Sequence, residues 1–209
     1  MWIAGNDAGN NGQKLPMRNA EFDREHVLRA AMHAFMNKGY AKTSMQDLTK
    51  ATGLHPGSIY CAFDNKRGLL LAALDQYQQD RTTELQSFFS GKGPILSQLK
   101  NYLDSIVGEC LLTGVPQACL LTKALSEIAS QDEEIQAMIT ANLNGWQQAI
   151  TDKFSLAQTN GELNNQRDSA HLGRFFVMGI YGLRTFAQTA PEPAILQQLA
   201  DQLFQDVCA

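Results

Sequence analysis

The break in residues 52–63, TGLHPGSIYCAF, constrains the fold of this chain more than any other feature. Two glycines and a proline interrupt a stretch whose flanks both have helical periodicity. Pro56 needs no backbone donor in the first turn of a new helix, and His55 precedes it as a cap. Gly53 permits the tight turn that ends the preceding helix. The break therefore separates two short helices and does not disrupt one long helix.

The segment before the break predicts two helices. In FDREHVLRAAMHAFMNKGY, Asp23 caps the first helix and Gly39 ends it. The second helix begins after Thr43, with Thr43 or Ser44 as its cap. The apolar faces at helical spacing are Val27, Leu28, Ala31 and Phe35 on the first helix, and Met45, Leu48 and Ala51 on the second.

The third helix is roughly two turns long. Ile59 faces back onto the first two helices, while His55, Pro56, Ser58 and Cys61 form its outer face. Three short helices with a glycine turn and a polar outer face on the last helix are typical of a helix-turn-helix, in which the last helix enters the DNA major groove.

The charge distribution agrees with a nucleic-acid-binding module at the N-terminus. The 209 residues carry a formal charge of -4. Residues 1–67 hold 9 Lys and Arg against 6 Asp and Glu (+3), whereas residues 68–209 hold 8 against 15 (-7). The positive charge therefore sits on the smaller, N-terminal part, and the rest of the chain is acidic.

The remainder of the chain predicts further helices. Helical periodicity continues from residue 69 and is broken by turn-forming segments at 91–94, 113–116, 159–168 and 190–193, and no alternating strand pattern occurs. The sequence predicts an all-α protein with a flexible arm over residues 1–20, a helix-turn-helix domain over 21–67 and a helical body over 68–209.

Targeting and metal-binding signals are lacking in the sequence. No apolar run is long enough to span a bilayer, and the N-terminus has no signal-peptide pattern, so we expect a cytoplasmic protein that does not bind membranes. The four cysteines (61, 110, 119 and 208) and four scattered histidines have no metal-ligand spacing. We expect reduced thiols and neither a metal nor a cofactor.

Residues 22–77 resemble the DNA-binding domain of the TetR/AcrR family of transcriptional regulators. The resemblance runs through FDREHVLRAAMHAFMNKGY, TSMQDLTKATGL, GSIYCAF and NKRGLLLAALDQY, in the family's order and spacing. It implies a homodimeric repressor that binds double-stranded, near-palindromic operator DNA and is released when a small molecule occupies the C-terminal domain. Residues 68–209 would then be the ligand-binding and dimerisation domain.

The resemblance also implies DNA-contacting residues. Thr43 and Ser44 would offer hydroxyl and backbone N–H groups to a phosphate. Tyr60 and Lys66 would contact further phosphates. His55, Pro56 and Ser58 would lie over base edges, and Gly57 would let the backbone approach the DNA duplex closely. His55 and Pro56 replace the small hydroxyl residue and the cation that are frequent at these positions in the family.

Candidate ligand-pocket residues are the aromatic and methionine side chains Phe88, Tyr102, Trp146, Phe175, Met178 and Tyr181. The alternative is that these side chains are plain core. Cys119 stands one helical turn before Lys123, whose cation would favour a thiolate if both groups share an exposed face. The segment resembles a Gly-Cys-Leu helix start in the NemR-like, electrophile-sensing branch of the family, with Ala118 in place of the glycine. The alternative is an inert, buried Cys119.

The last two predicted helices, about 169–188 and 194–207, are candidates for a two-fold dimer interface. Their proposed interface residues are Leu172, Phe176, Gly179, Leu183, Leu196, Leu199 and Leu203. Burial of these residues inside the protomer is the alternative for each of them.

Two other functions remain open at this point. One is an all-helical enzyme with Cys119 as nucleophile, which needs a nearby base such as His171. The other is a DNA-binding protein without an effector.

Overall fold

The computed structural model describes residues 22–112, 119–164 and 166–208, and over these ranges the chain forms helices and no strand. The predicted all-α class is confirmed. The predicted arm, residues 1–20, lies outside the described residues. None of the described helices combines the length and the apolar character needed to cross a membrane. The α-helices are α1 (Arg24–Lys38), α2 (Met45–Thr52), α3 (Pro56–Phe63), α4 (Lys66–Phe88), α5 (Ile95–Leu112), α6 (Leu120–Glu127), α7 (Glu133–Thr159), α8 (Ser169–Ala187) and α9 (Pro193–Cys208).

Local capping determines where α2 and α3 begin and end. Ser44 and Asp47 form a reciprocal capping box at the start of α2. Gly53, with a φ of 69°, ends α2 in the left-handed region that favours glycine. Helix α3 begins at Pro56, with His55 as its N-cap. The break in residues 52–63 is therefore the turn of a helix-turn-helix, as the sequence predicts.

A first hydrophobic cluster, the head core, holds α1 to α4 together. Met45 and Leu48 of α2 face this core as expected, but Ala51 is exposed and Thr52 is buried in its place. The Thr52 hydroxyl donates a hydrogen bond to the Leu48 carbonyl (2.7 Å), which satisfies it in the core. The buried members are Val27, Leu28, Ala31, Met32, Phe35, Leu48, Ile59, Phe63, Leu69, Leu70, Ala73, Leu74, Tyr77, Leu120, Leu121, Ala124, Ile128, Ile135 and Ile139.

A second cluster, the body core, joins α5, α7, α8 and α9. Phe154 of α7 and Phe176 of α8 meet edge to face near its centre, with ring centroids 5.6 Å apart. The fully or nearly fully buried members include Leu99, Leu103, Ile106, Ile150, Phe154, Leu172, Phe176, Ile180, Leu196 and Val207.

The predicted domain boundary after residue 67 falls inside a continuous helix. Helix α4 begins at Lys66, so residues 67 and 68 both lie in its first turn. In addition, α6 and the start of α7, which follow far later in the chain, contribute Leu120, Ile135 and Ile139 to the head core. The head is therefore packed together with part of the body and is not joined to it by a flexible linker.

The structure corrects several of the predicted dimer residues. Leu172, Phe176, Leu183 and Leu196 are buried in the body core, where they contact the same protomer. Gly179 lies against Leu203 of α9, since a Cβ at Gly179 would come within 2.3 Å of the Leu203 Cδ2 atom. Leu199 alone of this set exposes a large share of its side chain, 44%. The prediction failed for the buried residues because helical periodicity does not tell which apolar face meets the protomer's own core.

Gly173 is expected to be essential for the packing of α8 on α7. A Cβ at this position would lie 2.2 Å from Thr151 Oγ1 and 3.0 Å from Thr151 Cα, so the two helices would have to separate. We expect Gly173→Ala to lower the free energy of unfolding by about 1–3 kcal/mol, measured by urea denaturation. The matched control is Gly108→Ala in α5, where a Cβ meets nothing within 4 Å and helix propensity rises. Equal or greater stability of Gly173→Ala would contradict this packing.

Candidate DNA interface and ligand cavity

The N-terminal end of α3 is an exposed, rigidly supported surface. His55 and Gly57 are exposed, and Ser58 is half-buried. One turn further on, Ile59 is fully buried in the head core, which fixes the orientation of the helix. The His55 Nδ1 atom accepts a hydrogen bond from the Gly57 N–H (3.4 Å), so Nε2 carries the proton of the neutral ring and is available as a donor to an outside acceptor.

At the start of α2, the two predicted phosphate-binding hydroxyls differ sharply. Ser44 is exposed, and its hydroxyl and backbone N–H both contact the Asp47 carboxylate. Thr43 is only 1% exposed, and its hydroxyl donates to the Gly39 carbonyl at 2.6 Å. The predicted phosphate contact by the Thr43 hydroxyl is therefore wrong. Its side chain instead closes the loop between α1 and α2.

Asp47 adds a negative charge to this surface, and a cation compensates for it. Lys38 donates a hydrogen bond to the Asp47 carboxylate across the α1–α2 corner. This bond, together with those from Ser44, holds the pKa of Asp47 well below its usual range. The pair leaves the start of α2 close to neutral, so the capping carboxylate does not by itself repel a phosphate.

Two further predicted phosphate ligands, Tyr60 and Lys66, lie beside the same surface. Tyr60 is 49% exposed, so its hydroxyl is accessible to a partner. The Lys66 ammonium stands 4.3 Å from the Tyr40 ring centroid and 3.5 Å from the Ala41 carbonyl oxygen. Partial burial lowers the pKa of Lys66. The ring and the carbonyl hold the ammonium at the end of the α1–α2 loop.

Sequence reasoning passed over two exposed cations of this surface. Lys42 precedes α2 and Lys50 lies in its last turn, and both are exposed. The positive charge of residues 1–67 was the signal that pointed to such residues, but it did not distinguish exposed lysines from paired ones.

A cavity of about 260 Å³, the ligand cavity, lies between the head and the body. Of the residues predicted for the pocket or the thiol site, Tyr102, Trp146, Tyr181 and Cys119 line it. The complete set of described lining residues is Tyr77, Gln78, Arg81, Thr82 and Leu85 of α4, Tyr102 of α5, Cys119 and Leu121 at the start of α6, Leu143, Gly145, Trp146 and Ala149 of α7, and Tyr181 and Arg184 of α8.

Hydrogen bonds fix the polar atoms of the ligand cavity. The Trp146 indole N–H donates to the Tyr102 hydroxyl (3.0 Å), and the Tyr77 hydroxyl donates to the Cys119 sulfur (3.5 Å). Burial raises the pKa of Tyr77, and it raises the pKa values of Tyr102 and Tyr181 to about 12. All three phenols are therefore protonated at neutral pH and act as hydrogen-bond donors.

Four of the residues predicted for the pocket or the thiol site lie elsewhere, and one of them, Phe88, packs against the body core. Met178 is 59% exposed and does not line the cavity. Phe175 stacks on His171 and packs against the body core. Lys123 donates to the Met36 carbonyl at the end of α1 (2.6 Å) and does not face Cys119. The i,i+4 spacing put Lys123 near Cys119 in sequence, but Cys119 is the N-cap of α6 and lies outside its regular turns.

A second cavity of about 320 Å³ lies on the other side of Tyr77, Arg81 and Arg184, against α1. Glu109, which lines this second cavity, accepts hydrogen bonds from Arg81 (2.7 Å) and Arg184 (3.0 Å). Burial opposes the ionisation of Glu109, but the two guanidinium groups outweigh it and hold the pKa of Glu109 below its ordinary value. Cys110 lines the second cavity and Cys119 the first, so the two thiols face different spaces.

Two matches to family models identify the chain. Residues 27–73 match the model described as bacterial regulatory proteins of the tetR family, and residues 96–203 match a tetracycline-repressor-like C-terminal domain. The chain belongs to the TetR family of transcriptional regulators. The first match covers α1 to the first part of α4, and the second covers α5 to α9.

Individual proteins of the TetR family match most of the chain. The transcriptional repressor ComR of Escherichia coli K12 is 29% identical over 182 residues, 86% of each chain. The repressor NemR of the same organism is 24% identical over 145 residues, 68% of this chain and 70% of its own. The solved structure of a CifR cysteine mutant on 26-base-pair operator DNA superposes with a TM-score of 0.78 at 23% identity, over 88% of this chain and 97% of the CifR chain.

In the described part of the chain, no group of three or more His, Cys, Asp or Glu side chains is arranged to hold a metal ion.

The buried Thr43 hydroxyl is expected to contribute to stability and not to DNA binding. Thr43→Val removes its hydrogen bond to the Gly39 carbonyl, and we expect a loss of about 1 kcal/mol in the free energy of unfolding. Operator affinity and its salt dependence should stay as in the parent, measured by fluorescence anisotropy over a salt series. A shallower salt slope would mean that Thr43 does contact a phosphate.

Proposed function

We propose that this TetR-family protein is a homodimeric repressor that binds a near-palindromic operator through α2 and α3 and is released by a molecule entering the ligand cavity. The observation that carries the proposal is the exposed start of α3, which the buried Ile59 anchors in the head core. The same core includes Tyr77 and Leu121, which line the ligand cavity. A cytoplasmic location follows from this function, because operator DNA lies there in a bacterium.

The DNA contacts divide into base readout and phosphate binding. His55, Pro56, Gly57 and Ser58 would meet base edges, with the His55 Nε2–H directed at an acceptor such as guanine N7 or O6. Ser44, Tyr60 and Lys66 would contact phosphates, and the exposed Lys42 and Lys50 would add to the sequence-independent attraction.

The exposed apolar face of α8 and α9 supports dimerisation. Met178, Phe186, Ile195 and Leu199 leave between 39% and 59% of their surfaces exposed. Because exposed large apolar side chains mark interaction surfaces where they are grouped, we propose the part of α8 and α9 that carries these four residues as the two-fold interface. It replaces the buried residues that the sequence alone suggested.

Helix α6 supports a route from the cavity to the head. Its first residues, Cys119 and Leu121, line the ligand cavity. One turn on, the Lys123 ammonium binds the Met36 carbonyl of α1 (2.6 Å). The Glu127 carboxylate then packs against Gly39, where a Cβ would come within 2.3 Å of Oε1. A molecule that binds more tightly when the start of α6 is displaced would favour that displaced state. Because α6 contacts the end of α1, the displacement would also shift α1.

The relatives favour this function over an enzyme, since those that match are named as transcriptional repressors or regulators. The enzyme hypothesis needs a base beside Cys119. His171 stacks on Phe175, and among the described residues no histidine or carboxylate lines the ligand cavity. If the protein bound DNA without an effector, the cavity would have no ligand. No small molecule would then change the affinity of the protein for its operator.

We expect an electrophile to lower operator affinity through Cys119. N-Ethylmaleimide enters the cavity, its alkene carbon bonds to the sulfur, and the thiol proton ends on the neighbouring carbon. Because Cys61 is exposed on α3 and its adduct would block DNA directly, the experiment uses a Cys61→Ser background. We expect roughly a 5- to 150-fold loss of affinity, the usual range of allosteric coupling, by anisotropy on the DNA upstream of the coding region.

The control for this experiment is the Cys61→Ser/Cys119→Ser protein, with mass spectrometry to count the adducts. It should keep its operator affinity after treatment. An equal loss in both proteins would remove Cys119 as the sensor. Tight binding that treatment leaves unchanged in both would discard the thiol switch and leave a reversible ligand as the releasing molecule.

The dimer proposal predicts that Leu199→Glu produces a monomer. A carboxylate on this apolar face would be desolvated between the protomers, and the cost should separate them. We expect a halved mass in sedimentation velocity and weaker operator binding, because one protomer contacts only one half-site. Leu156→Glu, at a similarly exposed leucine of α7, should remain dimeric. A dimeric Leu199→Glu protein would overturn the proposed interface.

A further inference from the structure

We propose that the ligand cavity binds an amphipathic organic anion, a monocarboxylate with an apolar body, through Arg81 and Arg184. This inference rests on the proposed function and names the class of its ligand.

The charges around the cavity are polarised. Arg81 and Arg184 line the ligand cavity, and no carboxylate does so among the described residues. The carboxylates that balance them lie behind: Glu109 lines the second cavity, and Glu84 lines neither. A bound molecule therefore meets two guanidinium groups directly, while neither of their partner carboxylates lines the cavity. This arrangement attracts an anion and opposes a cation.

The guanidinium groups have donors to spare. Within the described residues, Arg184 binds Glu109 through Nη2 alone, and Arg81 binds Glu84 and Glu109 through Nη1 alone. Each guanidinium carries five N–H bonds in a planar fork that suits a carboxylate. Arg184 is held at 14% exposure, and the Arg81 guanidinium stands 5.3 Å from the Tyr77 ring centroid. Both groups are therefore positioned before a ligand arrives.

The phenol groups of the cavity supply further hydrogen-bond donors. Burial keeps the pKa values of Tyr102 and Tyr181 near 12, so both phenols retain their protons. The Tyr102 oxygen already accepts from Trp146, which directs its own proton elsewhere. A carboxylate satisfies such a set of donors better than a neutral amide or alcohol of the same shape, because its hydrogen bonds are charge-assisted.

The rest of the lining is apolar and selects the body of the ligand. Trp146 and Tyr181 meet edge to face, with ring centroids 5.6 Å apart, and form one aromatic wall. Leu85, Leu121 and Leu143 complete the apolar surface. A fully polar anion such as phosphate would leave this surface unpaired, whereas an aryl or alkyl chain would cover it.

The alternative is that Arg81 and Arg184 only fasten α4 and α8 to Glu109 of α5. That role predicts no preference for anions. The two roles can be separated, because a purely structural arginine would affect an acid and its matched amide alike.

The test compares an acid with its amide on the intact protein. In a Trp2→Phe background, Trp146 is the one tryptophan left, and its fluorescence reports the cavity. We titrate 3-phenylpropionate against 3-phenylpropionamide, and octanoate against octanamide, and repeat the titrations by calorimetry. We expect one acid or both to bind at least about tenfold more tightly than the matched amide, as a charged hydrogen bond implies.

The variants are Arg184→Met and Arg81→Met, with Arg174→Met as the matched control. Arg174 is on the same helix as Arg184, is largely exposed and does not line the cavity. We expect each cavity variant to weaken acid binding about tenfold and to leave amide binding unchanged. The control should behave as the parent. Circular dichroism melts verify folding, and Arg184→Lys, which keeps the charge, should retain part of the preference.

Three outcomes would overturn the proposal: equal binding of acid and amide, no binding of either acid, or an equal loss of acid and amide binding in the arginine variants. The same samples are assayed for operator binding, so the two proposals fail separately. Acids that bind without changing operator affinity would support the ligand class and contradict release. Absent acid binding in a protein that still binds its operator would contradict the ligand class alone.

Discussion

Helix α4 is the element on which the rest of the structure depends, because it contributes side chains to both hydrophobic cores and to the wall of the ligand cavity. Its first half buries Leu69, Leu70 and Leu74 in the head core. Its second half carries Arg81 into the wall of the ligand cavity and Leu85 into the body core. A continuous helix resists bending in the middle, since bending would break its backbone hydrogen bonds. The helix therefore provides a continuous connection from the cavity wall to the head core.

The polar interactions around α4 act as couplings more than as sources of stability. Arg29 of α1 forms two hydrogen bonds to Asp80 (2.8 and 2.9 Å), and Arg81 and Arg184 share Glu109. Exposed ion pairs contribute little to stability, and buried ones offset a desolvation cost. Their value here is geometric: they fix α1, α5 and α8 relative to one helix. A ligand that competes for Arg184 would loosen that arrangement.

Much of the head was predictable from sequence because its signals are local. Gly53 needs a left-handed φ, Pro56 suits a first turn, and Ser44 with Asp47 forms a capping box, and each depends on residues within a few positions. The site residues of α3 follow from the same short segment. The predictions of side-chain partners failed where a side chain has two possible partners. The Thr43 hydroxyl donates to the Gly39 carbonyl and was predicted to bind a phosphate. Lys123 donates to the Met36 carbonyl, 87 residues away in the chain, and was predicted to face Cys119.

The sequence by itself determined the all-α class, the helix-turn-helix and the exposed end of α3, since these rest on periodicity and capping. The tertiary structure alone decided which apolar faces are internal. It buried Phe176 and Leu196 and left Met178 and Leu199 exposed. It also brought Arg81 of α4 and Arg184 of α8 to one cavity. Helical spacing gives the faces of a helix but not their partners, because the partners are chosen by contacts between segments distant in the chain.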